Sequence, residues 1–223
     1  MLGAGKSERM HGPNKIFAPL DGHPLIVHSL HKFTMLNNVQ DILLVLSKES
    51  WNEGKSLVER YGWKDKIRIC PGGILRQDSV AAGLEELRSC VWVIIHDGAR
   101  PMISMEILDN GMKAALETGA AIAAVPTKDT IKVVSRNRVV NRTISRKESW
   151  QTQTPQIFRY ELIREAHRRS KGSFPDDSAM VEKMKHPVKI FMGAYSNIKI
   201  TTPGDLTIAN TWMGKPLNEV HTS

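Results

Sequence analysis

Two glycine-rich stretches and a few well-spaced cations are the residues of this chain best able to do chemistry. Gly3-Ala4-Gly5-Lys6-Ser7-Glu8-Arg9 opens it, and Lys15 follows closely. Glycines so placed let the backbone take positive φ and come near a ligand, so that successive N–H groups converge on phosphate oxygens. Lys6, Arg9 and Lys15 add positive charge, which is the chemistry of a nucleoside triphosphate site. The stretch fits neither standard phosphate motif. A Walker A loop needs an earlier glycine, five residues ahead of Gly5, at a position that falls before Met1; the dinucleotide fingerprint needs a third glycine where Glu8 stands.

The second stretch, Gly72-Gly73-Ile74-Leu75-Arg76-Gln77-Asp78-Ser79-Val80, reads as a glycine turn into a helix. Its N-terminus and the Ser79 hydroxyl can receive a phosphate or a polar base edge; a plain capping turn is the alternative. His96-Asp97-Gly98-Ala99-Arg100-Pro101 follows an apolar run. A carboxylate at the end of a buried parallel strand suits Mg2+ held against phosphate oxygens, and Arg100 can pair with Asp97 or with ligand. No second histidine or cysteine sits at ligand spacing from His96, so it reads as a structural hydrogen-bonding residue. Lys128-Asp129-Thr130, Gln151-Thr152-Gln153-Thr154-Pro155-Gln156, Asp176-Asp177 and Asn197-Ile198-Lys199-Ile200-Thr201 add the hydroxyls, carboxylates and lysine that a sugar phosphate needs.

These groups need a scaffold that brings them to one edge. Apolar, β-rich runs at 42–46, 67–70, 91–95, 120–125 and 188–192 predict strands, several apolar on both faces. Helical patterns fall between them at 24–35, 50–61, 76–87 and 105–117. The alternation predicts an α/β sandwich on a mostly parallel sheet, which binds ligands where strands end and loops begin. One region departs from it. Ile131-Lys132-Val133-Val134, the polar turn 135–138 and Val139-Val140 predict a β-hairpin, the core of a projecting β-arm at about 131–154. An arm with open edges and exposed apolar side chains calls for a partner, most simply a second copy of the chain, unless it folds back on its own domain.

Composition limits the alternatives. With 223 residues, 41% of them hydrophobic, one domain over 1–223 is the simplest organisation. No apolar run approaches the ~20 residues that cross a bilayer, and no secretory leader pattern opens the sequence, so a soluble cytoplasmic protein with no membrane partner is expected. Cys70 and Cys90 form no C-x-x-C pair and suggest reduced thiols. The net charge of +8 fits either a small polyanion or a nucleic acid. The basic clusters at 136–147 and 164–171 carry no interleaved aromatics for stacking, which disfavours nucleic acid.

Taken in order, the motifs G-x-G-x-R-M, the lysine before Phe17, G-G-x-x-R-Q-D-S-V, H-D-x-A-R-P, D-T-I-K, Q-T-P-Q and N-I-K-I-T resemble the 2-C-methyl-D-erythritol 4-phosphate cytidylyltransferase family from Gly3 to about Ala209. The resemblance implies a Rossmann-like nucleotidyltransferase sandwich that joins CTP to a polyol phosphate and releases pyrophosphate. It also implies Mg2+ or another divalent cation, and a homodimer formed through the arm. Carried over by residue, Ala4, Gly5, Gly73 and Ser79 hold the cytidine part, with Asp97 near metal and ribose. Arg9 and Lys15 meet the triphosphate and Lys199 the α-phosphate. Arg100, Thr130 and Thr154 face the polyol phosphate, joined by Arg146 from the partner's arm.

The chain departs from the family at three places. Pro13-Asn14-Lys15-Ile16 keeps the lysine of a usual Pro-Lys-Gln and loses the glutamine, and Pro175 stands where a threonine usually precedes the Asp pair. Almost nothing precedes Gly3, where such loops follow a buried strand. That strand would lie near the middle of the sheet, its absence would leave a buried slot with unpaired ladder groups, and several apolar residues ahead of Met1 are expected in the native product. A ribitol 5-phosphate cytidylyltransferase shares most of these motifs; a basic RNA-binding protein and a catalytically inactive relative are the rivals from other classes.

Overall fold

The computed structural model describes residues 1–5, 14–88 and 90–213, and every structural statement below is made of these. All five residues of β3 (Ile42–Leu46) are buried, as a strand covered on both faces requires. It pairs in parallel with β4 (Ile67–Pro71), Ile42 opposite Ile67 and Leu46 opposite Pro71. Ahead of them, β1 (Pro19–Leu20) and β2 (His23–Pro24) form a minimal hairpin, and α1 (Leu25–Thr34) follows. Its two turn residues, Asp21 at φ 46° and Gly22 at φ 77°, both have the left-handed backbone that a two-residue hairpin turn demands. Next along the chain come α2 (Trp51–Arg60), α3 (Arg76–Glu86), β5 (Trp92–Ile95), α4 (Met105–Thr118) and β6 (Ala120–Pro126). The elements after β6 are β7 (Lys132–Val134), β8 (Val140–Thr143), β9 (Trp150–Arg159), α5 (Tyr160–Arg169), α6 (Asp177–Lys183), β10 (Lys189–Met192) and α7 (Pro203–Met213).

A four-stranded sheet has the order β10-β6-β9-β5, with β10 parallel to β6 and β9 antiparallel to both its neighbours. Residues 1–3 join it to the β3–β4 pair. Leu2 forms parallel bridges to Val45 on one side and Asp97 on the other. Its N–H donates to His96 O at 2.8 Å and its carbonyl accepts from Gly98 N, while Gly3 N–H donates to Val45 O at 2.8 Å. The combined order is therefore β4-β3-(1–3)-β5-β9-β6-β10, parallel throughout except for β9.

Along the same line, past Met1, a cavity of about 770 Å³ opens between the facing edges of β3 and β5. Leu43, Val93 and Ile94 line it from the strands, Leu84 and Met112 from helices on the two sides. The Met1 amino group donates to Leu43 O at 2.9 Å, and burial pushes its pKa from 8.0 down to about 6.

Strand β9 departs from the expectation. Its first half, Trp150-Gln151-Thr152-Gln153-Thr154, is too polar to read as a sheet-centre strand and falls by sequence in the arm. Yet Gln153, Thr154 and Gln156 are buried, each side chain hydrogen-bonded to a neighbouring element, although Gln156 Oε1 has no partner. Its second half obeys the alternation of a strand: Ile157 points into the core beneath α1 and α4, Phe158 into the opposite core with Leu84, Ile163 and Met180. Helices α5, α6 and α7 are likewise absent from the expected elements, while β3, β4, β5, β6, β10 and α1 to α4 fall within two residues of their expected bounds.

The hairpin forms as expected, with Lys132 opposite Thr143 and Val133 opposite Arg142. It pairs with no strand of the main sheet, and Val134, Val139 and Val140 are half or more exposed. Phe158→Ala is expected to cost ~3–5 kcal/mol, the range for truncating a buried aromatic. Val139→Ala should stay within ~0.5 kcal/mol. Urea unfolding at protein concentrations low enough to exclude association checks both.

Candidate functional site

A pocket of about 160 Å³ opens at the ends of β3, β4 and β5, where the three-residue junction delivers Gly3, Ala4 and Gly5. Lys15, Gly73, Ser79, Asp97 and Lys199 line it as well, so residues from five separate stretches of sequence converge. The two glycine turns meet face to face. A Cβ on Gly72 would lie 2.4 Å from the Ala4 Cβ, and one on Gly73 would lie 2.3 Å from the Asp78 Cβ. Close backbone approach, not positive φ, is therefore what requires glycine at these two positions.

The turn into α3 is held by its own polar groups. Asp78 accepts from Leu75 N–H at 3.0 Å, and the Ser79 hydroxyl accepts from Gly73 N–H at 3.1 Å. The Asp78 side chain thus satisfies one donor near the start of the helix, as a capping residue does. Ser79 is buried and serves first to shape the loop.

Asp97 is the electrostatic centre. Its Oδ2 lies 2.7 Å from Lys199 Nζ and its Oδ1 3.4 Å from Arg76 Nε. Burial alone would raise the carboxyl pKa, but Lys199 and Arg76 outweigh it and hold Asp97 well below the usual carboxylate range. The carboxylate is therefore ionised at any working pH. No three His, Cys, Asp or Glu side chains converge as a metal site among the described residues. One carboxylate facing the pocket, Asp97, fits the pattern in which a divalent cation takes a single carboxylate plus substrate phosphates.

His96 and Thr154 support this loop from beneath. Burial pushes the His96 pKa from 6.5 to about 4, so the ring is neutral. Its Nε2 faces Arg100 O at 3.1 Å and must be the donor; its Nδ1 then accepts from the Thr154 hydroxyl at 3.1 Å. The same hydroxyl accepts from Asp97 N–H at 3.0 Å. Thr154, expected to face substrate, is buried and uses its hydroxyl to fix the Asp97 backbone.

The remaining expected residues are placed as follows. Arg100 donates from Nη1 to Asn197 O at 2.7 Å, which ties the Asp97 loop to the Lys199 loop, and its buried Nε has no hydrogen-bond partner. Thr130 and Arg146 are exposed on the segments flanking the hairpin and do not line the pocket of their own copy; Arg146 Nη1 donates to Lys128 O at 3.4 Å. Arg9 lies outside the described residues, as does the tail 214–223. Arg76 stands within a motif visible in the sequence, but its role is not. Its contacts with two carboxylates, Asp97 and Asp177, depend on the approach of α6, an element whose pattern is too short to recognise.

His96 makes stability depend on pH. The unfolded ring takes up a proton near 6.5 and the folded one only near 4, so its contribution is complete above pH 6.5 and lost as pH falls towards 4. The loss should reach about 3 kcal/mol and then level off. Asp97 begins to destabilise only at pH values below the ordinary carboxylate pKa, outside that window. Urea unfolding from pH 7.5 to 4.5 should show a shallower slope for His96→Asn than for the parent.

Comparison with known proteins agrees with the geometry. Residues 1–215 match the family model for 2-C-methyl-D-erythritol 4-phosphate cytidylyltransferase. A protein of that name from Dehalococcoides mccartyi is 47% identical over 215 residues, 96% of this chain and 95% of the relative. Among solved structures, the 4-diphosphocytidyl-2C-methyl-D-erythritol synthase of Anaerococcus prevotii superposes with a TM-score of 0.85 at 30% identity, covering 96% of each chain. The 2-C-methyl-D-erythritol 4-phosphate cytidylyltransferase of Thermus thermophilus gives 0.76 at 29% identity, covering 95% of this chain and 96% of its own. The chain belongs to the 2-C-methyl-D-erythritol 4-phosphate cytidylyltransferase family.

Proposed function

We propose that this protein transfers the cytidylyl group of CTP to 2-C-methyl-D-erythritol 4-phosphate, giving the CDP-methylerythritol intermediate of isoprenoid precursor synthesis and pyrophosphate. The observation that carries the reading is the pocket itself, where two glycine turns face the Asp97–Lys199 pair, 2.7 Å apart, at the carboxyl edge of the sheet. The nucleophile is the phosphate of the acceptor, largely a dianion at neutral pH because its second pKa is ~6. No general base is needed, and the nearest histidine, His96, is committed on both ring nitrogens.

Catalysis is then alignment of two polyanions and neutralisation of charge on the α-phosphate and the departing pyrophosphate. Lys15, Lys199 and Arg9 supply that charge. Mg2+ would be held by Asp97 and the triphosphate and would further neutralise the phosphates. The orphaned Nε of Arg100 supports an anion beside it, the role expected for the polyol phosphate. The apolar, exposed hairpin supports a homodimer in which Arg146 serves the partner's pocket. Among the described residues no helix is long and apolar enough to cross a membrane.

Incubation with CTP, Mg2+ and each polyol phosphate separately, with pyrophosphate release as readout, tests the reaction. Turnover is expected with methylerythritol phosphate and not with ribitol 5-phosphate, and Lys15→Ala or Lys199→Ala should lower it by ~10²-fold or more. Turnover near the parent's in both lysine variants would refute their roles. For the dimer, Lys199→Ala and Arg146→Ala, each poorly active alone, should regain roughly a quarter of parental activity when mixed and allowed to exchange subunits, since half of the sites in mixed dimers are then intact. No recovery would mean that Arg146 serves its own subunit.

A further inference from the structure

From the pocket wall a line of charged groups runs back into the protein, and beyond Asp97 the reaction as described does not use it. Arg76 stands between two carboxylates, with Nε 3.4 Å from Asp97 Oδ1 and Nη1 2.7 Å from Asp177 Oδ2. The other oxygen of Asp177 meets His167 Nε2 at 3.2 Å. The Asp177 side chain is wholly buried, His167 is 9% exposed and Arg76 28%. Four elements are thus linked: the end of β5, the start of α3, the last turn of α5 and the first residue of α6.

The far end of this line is firmly fixed. Asp176 caps α6 by accepting from Ala179 N–H at 3.0 Å, and its Oδ2 also accepts from Gln156 Nε2 on β9 at 2.8 Å. Asp177 is therefore held against the sheet before Arg76 is considered. A wholly buried carboxylate persists only when paired and hydrogen-bonded, and here Arg76 and His167 fill those places. Only an arginine can bridge two carboxylates with separate N–H groups of one rigid plane.

The consequence falls on Asp97. With Oδ1 taken by Arg76 and Oδ2 by Lys199, the plane of this carboxylate is determined, and with it the position of the lysine ammonium beside the pocket. An arginine released from Asp177 would swing onto Asp97 and compete with Lys199 for it. We propose that Asp177, backed by His167, is a positioning residue for the transfer reaction: it restrains Arg76 so that Asp97 and Lys199 keep their places. The proposal rests on the pocket being the CTP site.

The full-length protein is assayed for kcat, for the KM of each substrate and for Tm. In Asp177→Asn, kcat should fall ~10-fold or more while the polyol phosphate KM stays within twofold, the pattern of a lost transition-state interaction. In an Arg76→Met background, the same substitution should change kcat less than twofold, because the group it restrains is gone. His167→Ala should share part of the defect, and His167→Gln, which can still donate an N–H to Asp177, should restore most of it.

A parental kcat per folded molecule in Asp177→Asn, with only Tm lowered, would overturn the proposal, as would a defect of equal size in the Arg76→Met background. If Asp177→Asn does not fold, the histidine pair decides: an unchanged kcat in His167→Ala, or no recovery in His167→Gln, overturns it. Failure of the underlying functional reading is seen separately, as parental protein that neither binds CTP by calorimetry nor turns it over.

Discussion

The sheet is held together in its middle by three residues. Leu2 and its neighbours pair with β3 on one side and with the end of β5 on the other, and among the described strands nothing else connects the β3–β4 pair to the rest of the sheet by backbone hydrogen bonds. The same bonds fix where the chain turns out of the sheet, because Gly3 is anchored to Val45 and Leu2 to Gly98. The glycine turn, the Asp97 loop and the Gly72-Gly73 turn are thereby set relative to one another before any side chain is considered.

On that frame the polar groups divide into those that face the ligand and those that hold them. Thr154, His96 and Asn197 belong to the second kind. Asn197 donates to Gln153 and to the Thr154 carbonyl at 3.2 and 2.9 Å, so the Lys199 loop, β9 and the Asp97 loop form one hydrogen-bonded unit. Its interior keeps His96 neutral and Asp97 charged at the same pH. Burial keeps the imidazole neutral against the opposing pull of the Arg100 carbonyl, whereas the carboxylate stays charged in spite of burial because it meets two cations. A neutral histidine here is consistent with a reaction whose nucleophile arrives already ionised.

Much of this is legible in the sequence, and the limits have physical causes. Strands such as Ile42–Leu46 are apolar at every position, and a helix such as α4 shows its period over 14 residues, so both declare themselves. The glycine turns and the Asp97 loop are visible because phosphate chemistry restricts which residues can stand there. Strand β9 hides because its buried face is polar: Gln153, Thr154 and Gln156 are inside on account of partners contributed by residues 96, 176, 194 and 197, which no local window contains. Arg76 hides for a related reason. Its motif can be read, but its second carboxylate comes from a residue 101 positions away in sequence.

The excess positive charge takes on a definite meaning in this arrangement. Ion pairs on the surface, such as Glu165 with Arg168, are solvated and contribute little to stability. Arg76, Arg100 and Lys199 act together on the carboxylate of Asp97, and Lys15 lines the same pocket, so the site is electropositive before ligand enters. Burial lowers the pKa of Arg100, Asp97 offsets part of that, and the neighbouring Arg76 adds a smaller repulsion. A triphosphate would relieve it. Repulsion among cations held by a rigid sheet edge is relieved most where negative charge is greatest, and in the proposed reaction that is the transition state, where two polyanions meet at the α-phosphate. Fixing those cations in place, through Asp97 and the carboxylates behind it, is therefore the main work this fold does for the chemistry.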